Sequence, residues 1–472
     1  MTADNKLDWT PSSTAKTRHG INPATEEALP EVPVATQEDV DKAVAAARRA
    51  FPAWGKTSWD EREKLLNKLA DAVEANADGF KDILVKETGK AISTVEMEFA
   101  STPRFMRALA SLRVKDQVLV DDDEHTATLR HMPLGVGAAI VPWNWPLLLA
   151  TAKLASGLIT GNCVIVKPSP FTPYSNLKLV ELAAGIFPPG VVQALSGGDD
   201  LGPMLTEHDG IDKVSFTGSS FTGKKVMASC ARTLKRVTLE LGGNDVAIVC
   251  DDADLAKTVP VVGTMCFLGS GQICMDVKRV YVHESIYDKF KAALIEFSKH
   301  IKMGDPNDAG TTVGPIQNEM QYGKVREMYE AIKAEGWSAI VGGQTDARDQ
   351  FPKGFFMQPT IIDNPPENSR IVQEEPFGPI VPLLKWSNEE DVLKRANASK
   401  MGLGGSVWTK DLERGQRLAS QLESGSSWVN CHFKLDPRVP FGGAKWSGLG
   451  RELGTTGLEG WLEPQSLWVS KL

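Results

Sequence analysis

The sequence predicts a mixed α/β fold: a doubly wound parallel sheet, a second α/β unit after it, and a small β element. Three observations predict it. Beyond residue 133, short apolar runs alternate with helical spacing. The runs fall at 136–141, 163–166, 191–195, 213–216, 237–239 and 246–249, with a helical pattern over 176–187. Strands buried on both faces read as continuous apolar runs, and their alternation with helices implies a parallel sheet. Such sheets bind ligands beyond the carboxyl ends of their strands. Residues before 112 instead carry helical periodicity, and Thr36-Gln-Glu-Asp39 and Ser58-Trp-Asp-Glu61 resemble capping boxes that open helices there. Residues 112–132 break both patterns. Val118-Leu-Val, Asp121-Asp-Asp and Ala127-Thr-Leu-Arg read as strand, turn and strand. An exposed hairpin inside a helical region suits an arm that pairs with another subunit. After residue 250 the alternation resumes with different spacing, again mixed α/β.

A length of 472 residues fits two or three domains. The formal charge of -8, spread along the chain, argues against nucleic acid or an anionic membrane as the main partner. The N-terminal stretch, residues 1–10, is polar and acidic, unlike a secretory signal. The apolar run 146–160 is interrupted by Lys153 and is too short to span a bilayer. Six cysteines lie at 163, 230, 250, 266, 274 and 431, without a C-x-x-C pair or zinc spacing. This pattern predicts a cytoplasmic protein with free thiols and no metal site. Taken alone, any one of these cysteines reads as a small buried hydrophobe.

Several motifs bear chemistry. Lys213-Val-Ser-Phe-Thr-Gly-Ser-Ser-Phe-Thr-Gly-Lys-Lys225 reads as a strand, a glycine turn at Gly218 and Ser219, and a helix start. Backbone amides there can hold a phosphate. Lys225 stands where a Walker A loop needs Ser or Thr for Mg²⁺, which argues against an NTPase. The G-x-G-x-x-G fingerprint is absent. Val166-Lys167-Pro-Ser169 ends a strand with a lysine able to reach a ligand hydroxyl or phosphate. Gly271-Gln-Ile-Cys274 puts a thiol after a glycine loop. A thiol needs a base or a positive field to act as a nucleophile. Glu240-Leu-Gly242-Gly243 offers a carboxylate at a strand end, a candidate general base. In Pro142-Trp143-Asn144-Trp145-Pro146 the prolines stiffen the backbone around Asn144, whose amide can donate to an oxyanion. Each motif also has a plain structural reading: a turn, a solvated lysine, a capping carboxylate, a packed aromatic. Ser/His/Asp hydrolase chemistry has little support, for no G-x-S-x-G occurs and the seven histidines are scattered.

Taken together, these motifs resemble the aldehyde dehydrogenase superfamily. Glu374-Glu375-Pro-Phe377-Gly-Pro379 and Pro440-Phe-Gly-Gly-Ala-Lys-Trp-Ser-Gly-Leu-Gly-Arg-Glu452 extend the likeness in the family's order over nearly the whole chain. The resemblance implies a Rossmann-like cofactor domain (1–111 and 133–241), an α/β catalytic domain (242–446) and a small β bridging and oligomerisation element (112–132 and 447–472). It implies hydride transfer from an aldehyde to NAD, with NADP open, in a homodimer or homotetramer. Cys274 would attack the aldehyde carbon, and Asn144 with the Cys274 amide would hold the oxyanion. Glu240 would activate the water that hydrolyses the thioester, with Lys153 and Glu452 relaying its proton. Cofactor contacts would come from Pro142, Trp143, Lys167, Ser169, Gly218, Ser219, Gly242, Glu375 and Phe377.

Departures from the family matter for specificity. Pro170 stands where many NAD-preferring relatives carry a glutamate. Ala152 occupies a site that is often Trp or Arg in relatives, and Leu268 one where succinic-semialdehyde relatives place an arginine, so no clamp for a second carboxylate is evident. Trp145, Leu149, Ala152, Leu268, Ile273, His432, Phe433 and Leu435 would line an apolar and aromatic tunnel, suited to a medium or bulky apolar or aromatic aldehyde. Lys434 and Arg438 are candidates to select an anion at its mouth. CoA-acylating relatives typically lack the glutamate base, which is present here as Glu240.

Overall fold

A computed structural model of the protein describes residues 16–344 and 347–472; the polar stretch 1–10 lies outside the described residues. After a short antiparallel pair, Thr17–Arg18 with Val32–Pro33, come four helices: Gln37–Trp54, Trp59–Ala75, Ala77–Thr88 and Ile92–Ala110. Thr36 Oγ1 accepts the Asp39 amide at 3.3 Å, and the Asp39 carboxylate accepts the Thr36 amide at 2.9 Å. This is the reciprocal box that its sequence predicts. Ser58 caps the second helix by accepting the Glu61 amide at 3.1 Å. Leu66, Leu69 and Val73 lie on one face of that helix and are buried, which anchors it to the core.

The first large sheet has six strands. Val136–Ile140 lies centrally, with Cys163–Lys167 and then Val192–Ala194 on one side, and Lys213–Thr217 and then Arg236–Glu240 on the other. These five strands are parallel. The chain moves outward from the centre, returns, and moves outward the other way. The order therefore reverses between Val136–Ile140 and Lys213–Thr217, which opens a crevice at their carboxyl ends. The second large sheet has seven strands in the order Ser338–Val341, Thr360–Asp363, Ile380–Trp386, Val277–His283, Asp245–Val249, Gly404–Trp408 and Ser426–Val429. Only its first pair is antiparallel. Along Asp245–Val249, Val246 and Ile248 enter one apolar cluster while Ala247 and Val249 enter another. That alternation is the two-residue period of a strand buried on both faces.

The helix Pro146–Ile159 is buried along nearly its whole length. Proline at its first position loses no helical hydrogen bond. The amides of Leu147 and Leu148 donate to Glu98 Oε1 at 2.9 and 3.1 Å, and Glu98 pairs with Lys90. A buried carboxylate thus caps the helix that follows Asn144 and fixes its position. Among the described residues, no helix is long and apolar enough to cross a membrane.

The hairpin forms from Gln117–Asp121 and His125–Pro133, and Leu462–Ser470 pairs antiparallel along the second of these strands. Within the expected 447–472 segment the strand itself is Leu462–Ser470, and its first residues are ordered by pairing rather than by apolar content. Nor does everything after 447 join this arm: Gly448–Leu449 adds an antiparallel edge to the six-stranded sheet beside Glu240. Trp461 then wedges against that sheet. A Cβ on Gly137 would stand 2.3 Å from its ring, and one on Gly157 3.0 Å. Glycine in the strand and glycine in the helix make room for one indole, and truncating such a side chain costs ~3–5 kcal/mol.

Candidate active site

The carboxyl ends of the six-stranded sheet carry most of the expected residues. Val136–Ile140 runs into Pro142, Trp143, Asn144 and Trp145; Cys163–Lys167 ends on Lys167; Lys213–Thr217 leads to Gly218 and Ser219; Arg236–Glu240 ends on Glu240. The chain then crosses through Gly242 and Gly243 into the second sheet, whose Asp245–Val249 strand lies beside Val277–His283. The turn that carries Cys274 sits immediately before that last strand.

Backbone conformation shapes this turn. Gly269, Ser270 and Gly271 have φ of 57°, 62° and 70°. A serine in the left-handed region is strained by ~1–2 kcal/mol; here its hydroxyl donates to the Gly314 carbonyl at 2.8 Å. At Gly271 a Cβ would stand 2.2 Å from the Gly378 carbonyl oxygen. Glycine thereby lets the turn press against the segment that carries Glu375 and Phe377. Four of the six thiols are buried, while Cys274 and Cys431 are half-buried, and none is in a disulfide.

Side chains hold the turn on every side. Asn144 Nδ2 donates to the Gln272 carbonyl at 2.9 Å, and Gln272 Oε1 accepts the Gln317 amide at 2.9 Å. Asp276 accepts the Ile273 amide at 3.2 Å. Lys278 Nζ donates to the carbonyls of Ile273 and Cys274 at 2.6 and 2.9 Å. The Cys274 amide meets no acceptor among the described residues. One Asn144 N–H and the Cys274 N–H therefore remain available to an oxyanion.

Glu240 is 3% exposed, and its Oε1 has no partner among the described residues. Burial, with the neighbouring Glu452 charge, holds its carboxyl well above the usual carboxylate range, against the pull of Lys153 and Arg451. Lys153 pairs with Glu452, and Ser215 joins both: its hydroxyl accepts from Lys153 at 3.0 Å and donates to Glu452 at 2.8 Å. The expected base and its expected relay therefore occupy one buried polar patch. Burial also pushes the Cys274 thiol far up; Lys278 opposes this, while Glu375, Glu240 and Asp245 add to it.

The remaining residues fit a dinucleotide. Ser219 caps the helix Ser220–Ala231 by accepting the Thr222 amide at 3.2 Å, which leaves first-turn amides for a phosphate. Lys167 is buried, its Nζ reaching only the Pro168 carbonyl at 3.3 Å, and burial lowers it to about 8. Ser169 accepts the Phe171 amide at 3.2 Å beside it. Glu375 Oε1 accepts the Gly243 amide at 3.0 Å, and a Cβ on Gly242 would stand 2.1 Å from Oε2. Trp143 meets Phe377 edge to face, with ring centres 5.3 Å apart. A buried ammonium, an open helix N-terminus and a carboxylate with one free oxygen match the phosphates and ribose hydroxyls of NAD(P). Among the described residues, no group of His, Cys, Asp and Glu is placed to hold a metal ion.

Trp145, Ala152, Leu268 and Ile273 share one apolar cluster, with Leu149, Cys274, Phe433 and Leu435 packed against it. Trp145 and Phe433 lie 6.1 Å apart, ring centre to ring centre. His432 is not part of this wall. Its Nδ1 and Nε2 are bonded to Ser406 at 3.0 Å and to the Met275 carbonyl at 2.9 Å, and burial lowers it to about 4. His432 instead lies against Trp428, ring centres 4.8 Å apart, while Phe433, with φ of 60°, faces Trp145. Arg438 is exposed and pairs with Asp436 at 2.7 and 2.8 Å, which offsets its charge at the mouth. Sequence reasoning missed Lys278, Asp276 and the Gln272–Gln317 link. One signal was present: Val277-Lys-Arg-Val-Tyr-Val-His283 is a strand buried on both faces that nevertheless carries two cations.

A doubly wound sheet with a crevice that fits a dinucleotide, beside a half-buried thiol, has the parts of a pyridine-nucleotide oxidoreductase. The aldehyde dehydrogenase family model matches residues 9–467. A putative aldehyde dehydrogenase of Gibberella fujikuroi is 41% identical, over 99% of this chain and 98% of its own. Retinaldehyde dehydrogenase 3 of Mus musculus is 39% identical over 98% and 91%. The crystal structure of Staphylococcus aureus betaine aldehyde dehydrogenase with NAD+ superposes with a TM-score of 0.94, at 34% identity over 98% and 93%. The chain belongs to the aldehyde dehydrogenase family of NAD(P)-dependent enzymes, which oxidise aldehydes.

Proposed function

We propose that the enzyme converts a medium or bulky apolar or aromatic aldehyde to its carboxylic acid through a thioester on Cys274. The observation that carries this reading is the buried, unpartnered oxygen of Glu240 in the patch that acts on the Cys274 thiol. The Cys274 sulfur, having lost its proton to solvent, adds as a thiolate to the carbonyl carbon as the C=O π bond opens, and the oxygen that gains charge accepts from Asn144 Nδ2 and the Cys274 amide. Lys167, Ser219 and Glu375 would hold NAD(P)+, which would supply the hydride acceptor that lets the carbonyl re-form as a thioester. Glu240 then takes a proton from water as its oxygen attacks the thioester carbon. The C–S bond breaks, Cys274 is released, and the acid leaves. The Glu240 proton passes toward Glu452 and Lys153. A carboxyl whose proton affinity is raised by burial is a stronger base for that water.

The substrate class rests on the apolar wall. Among the relatives, one is named for retinaldehyde and one for betaine aldehyde. The wall residues from Trp145 to Leu435 bring no carboxylate for a cationic substrate, so the bulky apolar class is favoured. The test follows reduced-cofactor absorbance over an aldehyde panel, with NAD and NADP in parallel and with CoA present or absent. Benzaldehyde and long aliphatic aldehydes should lead, with free acid as product in both cases. A clear preference for succinic semialdehyde would sink the substrate reading, and CoA-dependent acyl transfer would sink the hydrolytic one. Asn144→Ala should lower kcat by ~10²–10³ with little change in KM, because its bond to the oxyanion strengthens only as charge develops.

We further infer a division of labour: a cofactor domain from 1–111 and 133–241, joined by the edge strand Gly448–Leu449 and by Trp461, a catalytic domain from 242–446, and an oligomerisation arm from 112–132 with the strand Leu462–Ser470. The exposed Leu467, Trp468 and Val469 on the arm's outer strand support a homodimer or homotetramer. Six unpaired thiols support a cytoplasmic location.

A further inference from the structure

We propose that Lys278 is a positioning residue for the nucleophile, aiming the oxyanion-binding amide and giving the Cys274 sulfur a fixed positive neighbour. The inference rests on the reading of Cys274 as nucleophile.

Lys278 is 3% exposed and is the second residue of the strand Val277–His283. Burying an ammonium is costly unless its donors are used. The adjacent Arg279 illustrates a purely structural solution: its guanidinium donates to the Asn244 and Ala396 carbonyls at 3.0 and 3.1 Å, away from the thiol. Lys278 instead spends its donors on the nucleophile turn, at the carbonyls of Ile273 and Cys274.

Two consequences follow from that geometry. In a trans peptide the C=O and the following N–H point in opposite directions. Holding the Ile273 carbonyl therefore turns the Cys274 N–H away from the ammonium, which leaves it without a protein acceptor. Pulling back the Ile273 and Cys274 carbonyls also removes two negative dipole ends from the neighbourhood of the sulfur and the oxyanion.

The second consequence is electrostatic. The thiol is acted on by Glu375 from the 374–379 segment, Glu240 from one sheet and Asp245 from the other, all of which disfavour a thiolate. Asp276 adds a further carboxyl to the turn, while His432 has both nitrogens bonded. Lys278 is the cation that opposes them at Cys274, and it stands 3.6 Å from Glu375 Oε1. It therefore also partly offsets the carboxylate expected to meet the cofactor.

The experiment is alkylation of the cofactor-free, full-length enzyme by iodoacetamide across pH, with the label located by peptide mass mapping. Variants are Lys278→Met, Lys278→Gln and Lys278→Arg; the glutamine keeps a donor for the Ile273 carbonyl and so guards the fold. Loss of a cation this close should move the midpoint for Cys274 labelling up by about one pH unit or more in the Met and Gln variants. The Arg variant should stay near wild type. A wild-type midpoint in both neutral variants overturns the proposal. If instead the label that tracks loss of activity maps to Cys431, it is the Cys274 reading that fails, whatever Lys278 does.

Discussion

Cys274→Ala is expected to abolish turnover with every aldehyde, lowering kcat by at least ~10⁴-fold, which is ~5.4 kcal/mol of barrier. The size follows from chemistry rather than packing. Without sulfur there is no adduct and no thioester, and the oxyanion donors at Asn144 and the Cys274 amide have nothing to stabilise. The substitution itself is mild: Cys274 is half-buried, the turn is held by backbone bonds to Lys278, Asp276 and Asn144, and none of these involves the sulfur. Binding of the oxidised cofactor should therefore survive, within a few-fold by fluorescence titration. Cys431→Ala makes the sharpest control, because it changes the other half-buried thiol. Retained activity in Cys274→Ala together with its loss in Cys431→Ala would reverse the assignment.

Much of this arrangement was legible in the chain, for a physical reason. Strands such as Val136–Ile140 and Cys163–Lys167 are buried on both faces, so each appears as an unbroken apolar run whose position needs no tertiary information. The glycine before Cys274 and the prolines around Asn144 are also local features, readable from backbone limits alone. What escaped depends on contacts between distant segments. Leu462–Ser470 is mostly exposed and contains Pro464, so its apolar content marks only the end of the strand; register with His125–Pro133 supplies the rest. Gly448–Leu449 is too short to be a strand by pattern, and becomes one by pairing with Leu239 and Glu240. His432 lies beside Phe433 in sequence but not in place, because Ser406, the Met275 carbonyl and Trp428 hold its ring while Phe433 faces Trp145. Lys278 was marked only as a cation in a buried strand: whether such a residue points outward or onto the Cys274 turn is set by what lies across it.

Glu240→Gln should separate the two halves of the reaction. The first half needs the Cys274 sulfur and the oxyanion donors, so rapid mixing should still show one equivalent of reduced cofactor per active site. The second half needs a base for water, and steady-state turnover should then fall by ~10²–10⁴-fold. Mass spectrometry of the stalled enzyme should find the acyl group on the peptide that contains Cys274. In the wild type, burial and Glu452 raise the Glu240 carboxyl, so thioester hydrolysis should rise with pH around a midpoint well above the ordinary carboxylate value. That limb should vanish in the variant. Stability gives an independent check with a definite sign. A carboxyl with a raised folded-state pKa holds its proton more tightly when folded, so its effect on stability grows unfavourable as pH rises from the unfolded value through the folded one. The amide carries no such penalty, and its Tm should equal or exceed that of the wild type, with the difference widening toward alkaline pH. A Glu240→Gln enzyme that turned over at the wild-type rate, or that gave no burst of reduced cofactor, would show that the water is activated elsewhere or that this carboxyl serves the first step instead.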